Sequence, residues 1–191
     1  LDLKPGERVL DIGCGAGATT LQAASYIGDA VAVGVDISKP LIELARERAN
    51  ARGANAHFVE ADVSAAPLND APFDAAFSRF GVMFFDDTTA AFAKIRAALS
   101  PGGRIVFICW RPFKENGWTF APLKALKDLL KEPLQPADPD APGPFQLQDP
   151  EKIKSVLGAA GWRDVSVTPW DGDVLVGGGG DRHAAAAFLL K

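Results

Sequence analysis

The sequence predicts an α/β domain: a doubly wound, mostly parallel sheet of seven strands with helices on both faces and an antiparallel C-terminal hairpin. Three observations predict it. Short apolar runs alternate with helical segments through residues 8–110, and parallel neighbours need such crossovers. The first three runs each carry an aspartate at or near their ends, Asp11, Asp36 and Asp62, where open sheets of this kind bind ligands. Two late runs are split by Asp171-Gly172, which reads as a hairpin turn.

The elements follow in order. Strand-like runs are "RVLDIG" (8–13), "AVAVGVD" (30–36), "AHFVEAD" (56–62), "FDAAFSRF" (73–80) and "GRIVFICW" (103–110). Residues 18–28 are alanine-rich and helical. In 40–53, Leu41, Leu44, Ala45 and Ala49 share one face, Pro40 suits the first turn and Gly53 the end. The segment 88–99 repeats the pattern with Phe92, Ile95 and Leu99 and stops at "SPGG". After Trp110 the rhythm changes: a helix over 118–131, a proline-rich extended loop over 132–150, a helix over 150–160, then "DVSVTPW" and "DVLVGG" as the hairpin. The whole chain, 1–191, reads as a single domain. Because no helix precedes the first strand, N-terminal cap helices are expected to be missing, and "GGGG" before "DRHAAAA" makes 177–183 a flexible loop or a gap.

Composition narrows the function. Hydrophobic residues make up 48% and charged ones 23%, as in ordinary globular proteins, and the net charge of −4 argues against nonspecific binding to nucleic acid or an anionic membrane. No apolar run approaches the roughly 18 residues of a spanning helix, and no signal peptide is visible. Cys14 and Cys109 form no CxxC pair, so neither a disulfide framework nor a zinc site is expected and a reducing cytoplasm fits. The oligomeric state is not encoded in any pattern here.

The chemistry concentrates in "VLDIGCGAG" (9–17). Gly13, Gly15 and Gly17 follow a strand and precede a helix, which lets the backbone turn sharply and a ligand approach the helix N-terminus. Residues 13–18 also satisfy G-x-G-x-x-[GA], so a dinucleotide site stays open. Asp11 favours a different ligand. At about 4 Å and an effective dielectric near 20, its charge is worth on the order of 4 kcal/mol, repelling a pyrophosphate and attracting an ammonium or sulfonium. Capping of local backbone N–H groups is the plainer role for it.

These residues resemble a family. "VLDIGCGAG" looks like the first motif of class I S-adenosylmethionine-dependent methyltransferases, and four more segments match in order and spacing. They are "VGVDIS" (33–38), "VEADV" (59–63), "FDAAFSRFGVMFF" (73–85) and "LSPGGRIVF" (99–107). The likeness is strong over about residues 5–110 and includes bacterial enzymes of ubiquinone and menaquinone biosynthesis. It implies a Rossmann-like sheet and S-adenosylmethionine as cofactor, with S-adenosylhomocysteine as product. It further implies that Gly13, Cys14, Gly15 and Gly17 lie along the methionine part with Asp11 near its amino group. Asp36 would accept from both ribose hydroxyls, and Ile37 would pack on the adenine. Ala61, Asp62 and Val63 would meet the adenine edge, Asp62 accepting from its amino group and Val63 offering a backbone N–H. Ser78 or Arg79 would present a carbonyl to the ammonium.

A methyl transfer needs alignment more than it needs a base, and no convincing base is present. His57 begins strand three on the far side, His183 sits in the tail, and Arg79, Asp86 and Asp87 read as loop charges. No metal cluster is expected. Phe80, Met83, Phe84, Phe85, Trp110, Phe113 and Trp118 fall near the ligand edge and suggest a small, apolar or aromatic acceptor. Two other functions stay open: a non-catalytic module that binds S-adenosylmethionine, and a dinucleotide-dependent oxidoreductase.

Overall fold

The structure, a computed structural model, describes residues 1–66, 68, 70–119, 138, 140–173 and 183. Five strands form one sheet among them: β1 (Val9–Ile12), β2 (Ala32–Asp36), β3 (Ala56–Glu60), β4 (Phe73–Arg79) and β5 (Leu99–Ile108). All pairings are parallel, in the order β3-β2-β1-β4-β5. The chain builds outward from β1 to β3, then returns to the other side of β1, so the order reverses between β1 and β4. Ligands of such sheets bind at the carboxyl ends beside that reversal.

Alternation along β1 decides what each face holds. Leu10 and Ile12 enter the larger core with Phe92, Ile95, Ile153 and Leu157. Those four come from α3 (Thr88–Ala97) and α4 (Pro150–Ala159). Val9 points the other way, into a cluster with Ala23 and Ala24 of α1 (Ala18–Ala24). A second cluster on that side joins Cys14 and Leu21 to Ile42, Ala45 and Ala49 of α2 (Lys39–Arg52) and to Phe58. With a side-chain period of two, Asp11 belongs to the α1 side. Helices therefore cover both faces.

Several expectations shift. The buried stripe of α2 is Ile42, Ala45 and Ala49, while Leu41 and Leu44 lie at its exposed margin. A stripe at i, i+3 and i+7 is what one packed helix face needs, and Ile42 completes it where the leucines do not. Pro40 and Gly53 do bound the helix, Gly53 with φ +57°. Pairing of β5 begins at Leu99 rather than 103, with a register shift between Phe73 and Ala75 that absorbs the "SPGG" segment. Strand β3 ends at Glu60, two residues before Asp62. Residues 165–170 carry no strand pairing, so five strands are seen where seven were expected. Most of the second hairpin arm, most of the helix at 118–131, residues 132–137 of the proline-rich loop and all of the tail except His183 lie outside the described residues. The part of that loop that is described packs closely: Leu147 and Gln146 are buried, and Gly143 N–H donates to the Met83 carbonyl at 2.9 Å. No described helix is long and apolar enough to cross a membrane.

Candidate active site at the carboxyl rim

The glycine turn is stitched to β2, since Gly13 and Cys14 N–H both donate to the Val35 carbonyl, at 2.8 and 3.1 Å. Gly13 and Gly15 have φ of +69° and +54°, in the left-handed region that favours glycine. Their surroundings differ. A Cβ on Gly13 would lie 2.7 Å from the Gly81 Cα, so the turn touches the chain leaving β4. A Cβ on Gly15 would meet nothing within 4 Å, which makes Gly15 the open face of the turn. Gly17 caps α1 and faces the Phe58 ring.

The three acids occupy three environments. Asp36, at the end of β2, spans the turn: Oδ2 accepts from Gly15 N–H and Oδ1 from Ser38 N–H, both at 2.8 Å. A carboxylate offers about four lone-pair sites, so two remain for a further donor. Asp11 is only 1% exposed. Its Oδ2 accepts from the hydroxyls of Thr19 and Thr20, both at 2.7 Å, and Oδ1 is buried with no hydrogen-bond partner among the described residues. Burial pushes its carboxyl up to about 6, against the opposing hydrogen bonds from Thr20 and Thr19. Asp11 thus lies beneath the first turn of α1 rather than along the open rim, as β-strand alternation requires. Asp62 is exposed, and its Oδ1 accepts from Ser64 Oγ and N–H, which holds its carboxyl below the usual range. That is the geometry of a turn-capping aspartate.

The remaining candidates divide similarly. Ile37 is 75% exposed beside Asp36, an uncommon position for an isoleucine. Ala61 N–H donates to the Asp36 carbonyl at 3.0 Å and Val63 is buried. Ser78 is buried, its hydroxyl donating to the Ile12 carbonyl at 2.7 Å, while Arg79 is exposed. Cys14 turns into the α1–α2 cluster, where burial pushes its thiol up to about 12. Its contribution to the turn is backbone.

Next to the glycine turn the rim becomes aromatic. A cleft of about 1980 Å³ runs from the edge of β5 that no other described strand pairs, at Gly103–Ile108, to Phe80, Trp110 and Trp118. Phe80 stacks on Trp110 with centroids 4.2 Å apart and planes at 10°, and Trp118 tilts against Trp110 at 4.9 Å. Of the other apolar candidates, Met83 and Phe85 are core, Phe84 is exposed, and Phe113 packs edge-on against Phe145. His57 pairs opposite Val33, with Asp87 capping α3 by accepting from Ala90 N–H. No metal-holding group of His, Cys, Asp and Glu occurs among the described residues.

Three contributors, Thr19, Thr20 and Gly81, are missing from the sequence-based candidates, and so is the backbone conformation of Phe80, whose ring is among them. Thr19 and Thr20 carried a signal, being a hydroxyl pair in the first turn of the helix that follows the strand bearing Asp11. Gly81 had one too, a lone glycine directly after a strand. Phe80, with φ +65°, had none, because a phenylalanine gives no hint of a left-handed backbone.

Comparison with known proteins closes the question of family. Residues 9–103 match the methyltransferase domain family. The demethylmenaquinone methyltransferase of Corynebacterium kroppenstedtii is 30% identical over 174 residues, 86% of this chain and 72% of that protein. An S-adenosylmethionine-dependent methyltransferase structure from Mesorhizobium loti is 30% identical with a TM-score of 0.50, over 56% of this chain and 48% of that one. The YcgJ structure from Bacillus subtilis superposes over 99% of this chain and 78% of its own, with a TM-score of 0.67 at 22% identity, and so speaks to the fold. Against several other curated relatives the chain spans half of their length or less. The chain belongs to the S-adenosylmethionine-dependent methyltransferase family.

Proposed function

We propose that this chain, as one methyltransferase domain over 1–191, moves a methyl group from S-adenosylmethionine to a small, apolar or aromatic acceptor by in-line displacement. The observation that carries this reading is Asp36: a carboxyl acceptor at the β2 terminus, bonded to Gly15 N–H, beside the open face of the turn. Two free acceptor sites on one carboxylate suit the adjacent hydroxyls of a ribose. The exposed Ile37 next to it suits an adenine face. When bound, the cofactor supplies a sulfonium-activated methyl group.

The residues fit that cofactor with one revision. Asp11 is reached only through the α1 threonines, so it acts as a charge beneath the turn and not as a direct partner of an amino group. Gly13, Gly15 and the Cys14 backbone line the methionine end, with Gly17 behind them. Asp62 and Val63, with Ala61, border the adenine side, where the Asp62 carboxylate keeps acceptor capacity for a base beyond the two Ser64 bonds on its Oδ1. Ser78 fixes the exit of β4 against β1 and Arg79 offers a carbonyl. No base is assigned, since positioning alone supplies a large share of the barrier, roughly 7–11 kcal/mol for well-aligned reactants.

The acceptor reading rests on the rim at Phe80, Trp110 and Trp118. The β5 edge, unpaired among the described residues and with Val106 and Ile108 exposed, is where the further antiparallel strands of a seven-stranded sheet would add, alongside the Phe80–Trp110 end of the cleft rather than in it. Two free cysteines and an acidic composition support a cytoplasmic setting without nucleic-acid partners. A tritiated-methyl transfer screen over phenols, quinols and amines tests the reading. Transfer to at least one ring-bearing acceptor is expected. Transfer to peptides or nucleic acid alone overturns the acceptor class, and tight cofactor binding without any transfer favours the non-catalytic module.

A further inference from the structure

We propose that Phe80 determines acceptor specificity, its ring held as the wall between cofactor turn and acceptor cavity by a strained backbone that the glycine turn locks in place. The proposal rests on the methyltransferase reading and adds a residue role to it.

Four observations converge on this one position. Phe80 has φ +65°, whereas the glycine that could hold such a conformation without cost sits next door at Gly81. A β-carbon kept at a left-handed position persists only where its surroundings enforce it, and such outliers gather at functional sites. The enforcement is visible. A Cβ on Gly81 would lie 2.6 Å from the Ile12 carbonyl oxygen and 2.9 Å from the Gly13 Cα, so Gly81 is seated directly on the glycine turn. Gly81 N–H also donates to Ser78 Oγ at 3.1 Å, and that hydroxyl holds the Ile12 carbonyl.

On the other side, Phe80 N–H donates to the Ile108 carbonyl at 3.1 Å, extending the β4–β5 ladder by one residue. The backbone is thereby fixed from both strands, and the ring is delivered onto Trp110 at the mouth of the cleft. One residue thus has its main chain one step from the cofactor turn and its side chain in the acceptor cavity. A near-parallel Phe80–Trp110 pair with Trp118 tilted beside it offers ring faces and edges, which select flat apolar molecules.

The test uses 2-naphthol as a flat ring probe, titrated calorimetrically into protein saturated with S-adenosylhomocysteine. The wild type should bind it. Phe80→Leu should weaken it about tenfold, the scale of one lost aromatic contact plus its buried area, and Phe80→Tyr should restore it. S-adenosylhomocysteine affinity should stay within about twofold throughout, which reports folded protein and isolates the ring's role. Thermal unfolding tests the strain: Phe80→Gly should melt higher than Phe80→Ala, because only alanine keeps a β-carbon at positive φ.

Equal 2-naphthol affinity in Phe80→Leu, or none in the wild type, overturns the proposal while leaving cofactor binding intact. A higher melting point for Phe80→Ala overturns the strained backbone. Failure of the wild type to bind S-adenosylhomocysteine is a different result and strikes the methyltransferase reading itself.

Discussion

The β1–β2 crevice and the β4–β5 rim lie side by side and are built by opposite means. The crevice is made of backbone and short polar side chains: a glycine turn, Asp36 across it, and Asp11 sealed under α1 by two threonines. The rim is made of large rings brought together from the ends of β4 and β5, with Gln146 and Leu147 buried along the same cleft. Groups that grip one invariant ligand need fixed donors and acceptors. A surface that fits an acceptor needs shape. The two meet where Gly13 touches Gly81, so the difference between them can be probed from that contact outward.

The largest effect is expected at the contact itself. Gly13→Ala puts a β-carbon 2.7 Å from the Gly81 Cα at a φ of +69°. With backbone on both sides nothing can yield cheaply, and a loss of about 3 kcal/mol in urea unfolding is expected. A loss below about 0.5 kcal/mol, the range of neutral surface changes, would mean that crevice and rim are not in contact.

Asp11 comes next and sharpens the polar side. Its carboxyl is pushed up to about 6 from an ordinary value of 3.8. Between those pH values the folded chain holds more of this proton than the unfolded chain, so this group's stabilising contribution falls as pH rises and is gone above about 6. Asp11→Asn removes that slope. The variant should gain on the order of 3 kcal/mol relative to wild type between pH 4 and pH 7.5, at about 1.4 kcal/mol per pH unit. Denaturation at the two pH values checks it; a relative loss on raising the pH would mean Asp11 is not sealed from water.

Asp36→Ala should weaken S-adenosylhomocysteine binding by roughly 1–3 kcal/mol through lost charge-assisted hydrogen bonds, measured by calorimetry, with little change at the aromatic rim. Unchanged affinity would remove Asp36 from the site.

The same contrast explains what could be read from the sequence. The crevice is written in short spacings: "VLDIGCGAG" and "VGVDIS" put turn, strand end and acid within a few residues, and local chemistry dictates their geometry. Even there, the outlook of Asp11 depended on which face of β1 it took. Alternation from the buried Leu10 and Ile12 answers that, but the burial of the α1 face had to be known first. The same lack of context hid Ile42 behind Leu41 and Leu44. The rim was legible only as a list of large apolar residues. Phe80 and Trp110 line it, while Met83 and Phe85 belong to the core. Only tertiary packing, from segments as distant as Phe145 and Leu147, sorts the one kind from the other.

The central claim is that the turn bearing Gly15, bridged by Asp36, is where the adenosyl cofactor lies. The Gly15 and Ser38 amides both donate to that carboxylate at 2.8 Å, so they report on it directly. Amide spectra of labelled protein should show both resonances moving, and saturating, as S-adenosylhomocysteine is added, and standing still when NADH is added instead. Movement with NADH alone, or two amides indifferent to S-adenosylhomocysteine that demonstrably binds, would contradict the account.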